Sequence, residues 1–222
     1  MKTFDKHILT SILFAVLLFS SCSKDRVSAN GDVITQSREL SGFNSIQSSG
    51  ANPVYIKYGP EFKVEVKGSS NLMAYYKTEV RGNTLHAGFK RANVEKDDIR
   101  LYLTLPYLKD INLSGSGNTE ISGNFPVQES LEVRVSGSAN VKAEDSFSSR
   151  NIQVSISGSG DVDLSRVSAE SADVKISGSG DVRLAVSDYL KVGISGSGNV
   201  YYTGNPQTDT KVSGSGQIIA VN

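Results

Sequence analysis

The tetrapeptide Ser177-Gly178-Ser179-Gly180 is the main structural signal in this sequence, because it recurs along the chain at a nearly constant interval. Five identical copies begin at residues 114, 157, 177, 195 and 213, and a sixth copy at 136–139 ends in alanine. Residues 49–52 (Ser-Gly-Ala-Asn) form a degenerate copy further upstream. The six clear copies begin 22, 21, 20, 18 and 18 residues apart. A period near 20 residues indicates stacked supersecondary units rather than an ordinary globular topology.

Alternating apolar residues flank each copy of the motif. Val174 and Ile176 precede the copy at 177, and Val182 and Leu184 follow it. In one repeat Thr119 takes the place of the first apolar residue after the motif. Alternation with a period of two is typical of a β-strand with one buried face. Each repeat therefore predicts a strand, a Ser-Gly-Ser-Gly corner, a second strand and a connection of variable length.

Two all-β architectures fit this repeat. In a β-solenoid each repeat is one coil, and the small residues of each corner lie on their own copies in the next coil. In an antiparallel β-meander each motif closes a hairpin, which requires no such identity among the loops. The recurring corner favours the first. We predict a right-handed β-solenoid, a single-stranded β-helix with coils of 18 to 22 residues, and keep the meander as the alternative.

The N-terminal residues 1–21 have the pattern of a lipoprotein signal peptide. An apolar run at 8–19 is too short to span a bilayer. It ends in small residues before Cys22, the only cysteine of the chain, and so resembles a bacterial lipobox. That resemblance implies cleavage before Cys22 and acylation of its thiol. The alternative is an ordinary secretory signal followed by a spare cysteine.

The charge balance argues against a nucleic-acid partner. The chain has 23 basic and 23 acidic residues, and cleavage before Cys22 would remove Lys2, Lys6 and Asp5. The remaining 21 basic and 22 acidic residues provide no excess charge for nucleic acid or for an anionic membrane surface. The predicted membrane contact is the lipid anchor, in a cell-envelope, outer-membrane lipoprotein on either the surface or the periplasmic face.

After the signal we predict a polar tether at 22–37 and a β-domain at 38–222. The N-terminal half of this domain, 38–108, is rich in strand patterns but lacks the regular repeat of 109–222. Alternating segments on both sides of Gly59-Pro60 predict a hairpin, and so do those on both sides of residues 81–83. Because a solenoid needs its ends covered, we expect this half to cover one end or to continue as irregular coils.

A set of landmarks occurs in a fixed order along the chain. They are Gly-Phe-Asn-Ser-Ile at 42–46, Val-Glu-Val at 64–66, Ser-Asn-Leu at 70–72, Thr-Glu-Val at 78–80, Leu85, Pro-Tyr-Leu at 106–108 and the Ser-Gly-Ser-Gly copies followed by Asp or Asn and Val. Together they resemble the putative auto-transporter adhesin head GIN-domain family over roughly residues 38–216. The resemblance implies a secreted or lipid-anchored bacterial protein with a role in adhesion. It implies no catalytic or ligand-binding residues.

One polar position directly follows the motif in each repeat. It holds Asn118, Asn140, Asp161, Asp181, Asn199 and Gln217. Asn and Asp tolerate left-handed corner conformations and can form hydrogen bonds along a stack, so we predict a structural corner ladder. Calcium is the alternative ligand, but it requires several converging oxygens and only two of these residues are acidic. We predict no metal and no cofactor.

Catalytic residues are not evident in the sequence. Outside the signal peptide His86 is the only histidine, which argues against a Ser-His-Asp site or a histidine-based metal site. A glycan-active enzyme remains the rival hypothesis, since Asp161, Asp163, Asp181 and Arg183 could share one face of two coils. We predict a non-enzymatic, lipid-anchored adhesin or binding module for a glycan or protein. A purely structural envelope protein is the third hypothesis.

Overall fold

The computed structural model describes residues 26–90 and 93–221, so the predicted signal peptide and Cys22 lie outside the described residues. Nineteen strands and one 3-10 turn, Ser70–Leu72, occur in these ranges. No helix within them is long and apolar enough to cross a membrane. The strands are β1 (Arg26–Ser28), β2 (Val33–Arg38), β3 (Ser45–Gly50), β4 (Val54–Tyr58), β5 (Lys63–Ser69), β6 (Tyr76–Arg81), β7 (Thr84–Phe89), β8 (Asn93–Glu95), β9 (Arg100–Leu105), β10 (Asp110–Gly115), β11 (Thr119–Ser122), β12 (Gln128–Gly137), β13 (Val141–Ala143), β14 (Phe147–Gly158), β15 (Val162–Gly178), β16 (Val182–Gly196), β17 (Val200–Thr203), β18 (Gln207–Gly214) and β19 (Ile218–Ala220).

Strands of successive repeats pair in parallel, which confirms the predicted β-solenoid and excludes the meander for the repeats. The segments before the motif stack in the order β10, β12, β14, β15, β16 and β18. The segments after the motif stack as β11, β13, β15, β16, β17 and β19. In this register Ser157 pairs with Ser177 and Ser177 with Ser195, so each corner lies on its own copy.

The differences in repeat length lie in the connection that links the second strand of one coil to the first strand of the next. β15 and β16 stay in register at Val162 and Val182 and again at Gly178 and Gly196. The register shifts occur between these points, after Leu164 and after Ala169. The corners therefore stay aligned while the connection varies, as the constant spacing around the motif predicted.

The core runs along the axis of the solenoid. The alternating apolar residues of both strand columns point inward and are almost fully buried, as Val174, Ile176, Val182 and Leu184 show in one coil. Outward positions carry polar or charged side chains. This alternation is the physical reason that the repeats form strands, because a shift by one residue would expose every apolar side chain.

The first coil in the sequence is not the first coil in the stack. β3 and β4 pair on one side with β10 and β11 and on the other side with β7 and β9, all in parallel. The degenerate copy at 49–52 occupies a true corner, since Ser49 and Gly50 pair with Ser114 and Gly115. The chain leaves the solenoid after β4, adds the β7–β9 coil beneath it, and returns at β10.

One predicted hairpin is wrong and the other is confirmed. β4 and β5 do not pair with each other across Gly59-Pro60; β9 lies between them, parallel to β4 and antiparallel to β5. The buried side chains Leu101, Leu103 and Leu105 explain this arrangement, because they give β9 a place in the core. β6 and β7 form the second hairpin, around residues 81–83.

The two ends of the stack differ. β6 covers the edge of β7, while β5 and then β2 cover the edge of β9, all in antiparallel pairing. The predicted tether at 22–37 thus contains β1 and most of β2, because their backbone groups pair with β8 and β5. At the opposite end β18 and β19 form the last described coil, in which the inward side chain of Val212 is 43% exposed.

Candidate functional site

The predicted corner ladder is joined by hydrogen bonds from coil to coil. At four of the six positions, Asn140, Asp161, Asp181 and Asn199, the Oδ1 atom accepts a bond from the backbone amide one coil further on. Asn140 Oδ1 accepts from the Asp161 amide at 2.8 Å, and Asp161 Oδ1 accepts from the Asp181 amide at 2.8 Å. Asp181 Oδ1 accepts from the Asn199 amide at 2.8 Å, and the Nδ2 group of Asn140 donates to Asn118 at 3.2 Å.

The carboxylates of the rival enzymatic site all accept hydrogen bonds from neighbouring groups. Asp161 is exposed, and its Oδ1 atom is used by the amide of Asp181. Asp163 Oδ1 accepts bonds from the amide and hydroxyl of Ser165 at 3.0 and 2.6 Å. Asp181 accepts two bonds from Asn199. The hydrogen bonds of Asp161 and Asp181 therefore hold neighbouring corners together. The side chain of Asp181 is half-buried.

Burial perturbs two acids that lie elsewhere. Burial raises the pKa of Asp97, although its bonds from Ile99 and Asn52 oppose the shift. Burial also raises the pKa of Asp110, partly offset by Arg134. Neither acid lies in the corner ladder. Over residues 26–90 and 93–221 there is no group of three or more His, Cys, Asp or Glu side chains that could hold a metal ion.

A long concave surface lies on the outward side of the strands that precede the motif. Its volume is about 630 Å³. One wall is the column formed by the first serine of each motif, from Ser136 to Ser213. We call this surface the serine–lysine groove. Its central column consists of Arg134, Ser155, Lys175, Gly193 and Lys211, one from each successive coil.

Gly193 has no structural reason to be glycine. A Cβ atom built at this position would have no other atom within 4 Å, and its φ lies outside the left-handed region. Glycine in a strand interior costs roughly 0.5–1 kcal/mol relative to alanine. Such a glycine often marks a place where a ligand or another backbone approaches closely. The missing side chain leaves an open space between Lys175 and Lys211.

The central column of the groove was missed by sequence reasoning, although a signal was present. Each of its members stands two residues before a motif, so its position in every repeat could be read directly. The tyrosines lie both in the core and on the outer surface. Tyr76 is fully buried in the core, whereas Tyr55 and Tyr102 stack on the outer surface with ring centroids 4.8 Å apart. Arg183 lies 4.8 Å above the outward ring of Tyr201.

His86 lies in β7, where it pairs in parallel with Gln47 and in antiparallel with Glu79. Its ring is half-buried. Among the described residues, the side chain of His86 forms no hydrogen bond with a serine, a carboxylate or a second histidine. His86 is thus a residue of the strand face.

Comparisons with solved structures support the fold. A putative adhesin from Bacteroides fragilis matches with a TM-score of 0.75 and 20% identity, covering 88% of this chain and 100% of that one. A putative adhesin from Parabacteroides merdae matches with a TM-score of 0.62 and 25% identity over 89% and 100% of the two chains. A protein from Parabacteroides distasonis named a putative lipid binding protein matches with a TM-score of 0.54 and 23% identity over 89% and 100%. No curated protein matches the chain.

The family comparison agrees with the landmarks found in the sequence. The family described as "Putative auto-transporter adhesin, head GIN domain" matches residues 42–206. The matched range begins just before β3 and ends after β17, so it contains the β3–β4 coil, the added β7–β9 coil and most of the repeats. The chain therefore belongs to the family of putative auto-transporter adhesins with a head GIN domain.

Proposed function

We propose that this protein is a lipid-anchored protein of the outer membrane that displays its β-solenoid as an adhesin, a non-enzymatic binding module for a glycan or protein ligand. The observation that carries the proposal is the serine–lysine groove, which continues through five successive coils from Arg134 to Lys211. Its exposed hydroxyl and cationic groups can form many weak contacts to a long ligand. Membership of an adhesin-like family supports the same role at the cell envelope.

The position of the first strands supports anchoring through Cys22. Only residues 23–25 separate Cys22 from β1, which pairs with β8 near the covered end of the solenoid. Acyl chains on Cys22 would hold this covered end beside the membrane. The groove lies in the later coils, away from β1, and would therefore be presented outward.

The anchor is tested by the substitution Cys22→Ser in the full chain. We expect the variant to appear in the soluble fraction or to retain its signal peptide, because the acylated thiol is lost. Cell fractionation and intact-mass spectrometry measure both outcomes. Ser23→Ala is the matched control and should leave the protein in the membrane. Unchanged membrane fractionation of Cys22→Ser, with a mass that differs from the wild type only by the exchange of sulfur for oxygen, would refute the anchor.

The binding role is tested with the wild-type full chain in neutral detergent on a glycan array and against extracellular matrix proteins. We expect saturable retention of at least one class of ligand. No retention by any surface would refute the binding role. The enzymatic rival predicts instead that a polysaccharide panel is degraded and that Asp161→Asn abolishes the degradation. We expect no such turnover, because the Oδ1 atom of Asp161 is bonded within the corner ladder.

A further inference from the structure

We propose that the serine–lysine groove binds an acidic polysaccharide, sulfated or uronate-containing, that lies along the axis of the solenoid. This inference rests on the proposed binding function and specifies its ligand. Three features support it: the spacing of cations in the groove, the position of the acidic side chains, and the small residues between the cations.

Cations occur in every second coil of the central column. Arg134, Lys175 and Lys211 alternate with Ser155 and Gly193. Because adjacent parallel strands are about 4.8 Å apart, neighbouring cations are separated by about 10 Å along the axis. A β-linked sugar unit has about the length of one coil spacing. A polysaccharide with one anionic group in each disaccharide therefore matches this periodicity.

The acids of this face stand in a separate column, two residues further from the serines. Asp173 and Asp209 pair in register with Lys191, which lies between them in the same outer column. Opposite charges at such cross-strand positions stabilise each other. Lys191 therefore lies between two acids of the outer column, and no carboxylate of the described residues lines the groove itself. The groove is lined by cations, serine hydroxyls, the amide of Asn112 and the outer edges of Val135, Ile156, Ile176 and Ile194.

The pairing of the three groove cations differs. Arg134 is held by Asp110 at 2.9 Å and by Glu132 at 2.8 Å. Lys175 has one loose contact with Asp173 at 3.8 Å. Lys211 makes no ion pair within 4.0 Å to another described residue. The two lysines on either side of Gly193 are therefore the cations with the most capacity for a new anion.

The small residues allow a ligand to approach the backbone. Gly193 leaves open space at the middle of the groove, and Ser155 has a short side chain. The serine wall adds a hydroxyl in every coil, each able to donate and accept a hydrogen bond. Such an array suits the repeated hydroxyl and anionic groups of a polysaccharide.

The test measures binding of the full chain in neutral detergent to immobilised dextran sulfate, polygalacturonate and neutral dextran. We expect binding to at least one acidic probe, weakening with added salt, and little binding to neutral dextran. The two acidic probes distinguish a sulfated ligand from a uronate ligand. The double substitution Lys175→Gln with Lys211→Gln should lower the affinity at least about tenfold, since both cations face the groove.

Two further variants distinguish binding at the groove from a general electrostatic attraction to the whole protein surface. Lys191→Gln removes one positive charge from the outer column, and it should change the affinity much less than Lys175→Gln alone. Gly193→Gln leaves the charge unaltered but fills the open space; it should weaken binding about tenfold or more. Since nothing lies within 4 Å of a Cβ atom at Gly193, this variant should fold normally, as circular dichroism can verify.

The inference is overturned if no acidic probe binds, if neutral dextran binds equally well, or if both groove variants retain wild-type affinity. In any of these cases the glycan array tests whether the broader proposal of a binding function still holds. Retention of neutral glycans or matrix proteins there would leave the binding function intact with a different ligand. Loss of all retention would refute both.

Discussion

The carbonyl oxygen of Gly158 occupies the space that a Cβ atom on Gly178 would need. The same oxygen accepts a 2.9 Å hydrogen bond from the Ser179 amide, so it cannot move away without loss of a corner contact. Gly178 also has a φ of +141°, which side chains disfavour. We expect Gly178→Ala to lower the free energy of unfolding by roughly 3 kcal/mol. Urea denaturation measures this change.

Gly193→Ala is the matched control for this prediction, because it adds the same methyl group to the same stack without a steric clash. We expect it to be neutral or to stabilise by about 0.5 kcal/mol. Gly196→Ala, one coil above Gly178, should be as costly as Gly178→Ala, and the two together should be non-additive. Equal effects of Gly178→Ala and Gly193→Ala would contradict the stacked-corner explanation.

Thr119→Val should stabilise the protein. Thr119 is only 1% exposed, and its hydroxyl has no hydrogen-bond partner among the described residues. Its neighbours in the column are Val54 and Val141, so valine fits the local packing. Removing the unpaired hydroxyl should raise the free energy of unfolding by about 1 kcal/mol. Thr119→Ser keeps the hydroxyl but removes the methyl group and should destabilise. A loss of stability in Thr119→Val would mean that a water molecule bonds the hydroxyl.

The corner ladder predicts opposite effects for two substitutions of Asp161. Asparagine retains the Oδ1 acceptor for the Asp181 amide, as Asn140 does for the Asp161 amide. It also removes a negative charge beside Asp181, so Asp161→Asn should be neutral or stabilise by about 0.5 kcal/mol. Asp161→Ala removes the acceptor and should cost about 1 kcal/mol. Denaturation at low and high salt should show that only the asparagine effect decreases with screening.

Asp110 should make stability fall as the pH rises. Burial raises its pKa from the ordinary value of 3.8, and its buried Oδ1 atom accepts no hydrogen bond from the part of the chain that the structure describes. The folded state therefore binds the proton more tightly than the unfolded state. The resulting stabilisation is complete below pH 3.8 and is lost as the pH rises through the folded pKa.

Asp110→Asn removes this contribution, whereas the other acids remain. We expect the unfolding free energy of the variant to rise more steeply with pH in the acidic range than that of the wild type. Urea denaturation at several acidic pH values compares the two slopes. Parallel slopes would show that the pKa of Asp110 is the same in the folded and unfolded states.

The repeat half of the fold was predictable because the residues that favour each corner locally are also the residues that stacking of the corners requires. Glycines such as Gly178 are required wherever one corner lies on another, so the motif spacing reports the register directly. The N-terminal half offered no such signal. The pattern of β9 predicts a strand with one buried face, but its place between β4 and β5 depends on contacts with residues distant in sequence.

The groove was accessible to the same reasoning and was overlooked for a physical reason. A residue two positions before the motif lies on the outward side of a strand, where polar side chains are expected. The position of Arg134, Lys175 and Lys211, two residues before each motif, implies that they form one column, and the parallel register shows it. Whether a side chain fits at Gly193 depends on the atoms that surround its backbone, and these come from residues distant in sequence.

The inserted β7–β9 coil gives the molecule two modes of assembly. β3 and β4 emerge early from the ribosome but need partners on both sides, and the last of these, β11, ends at Ser122. This first block must therefore close over long distances in sequence before it is stable, which is slow. Each later coil adds to a finished template about 20 residues behind it. Released chains that end at Ser122 should resist proteolysis as a unit, and chains lengthened by one coil at a time should gain protection one coil at a time.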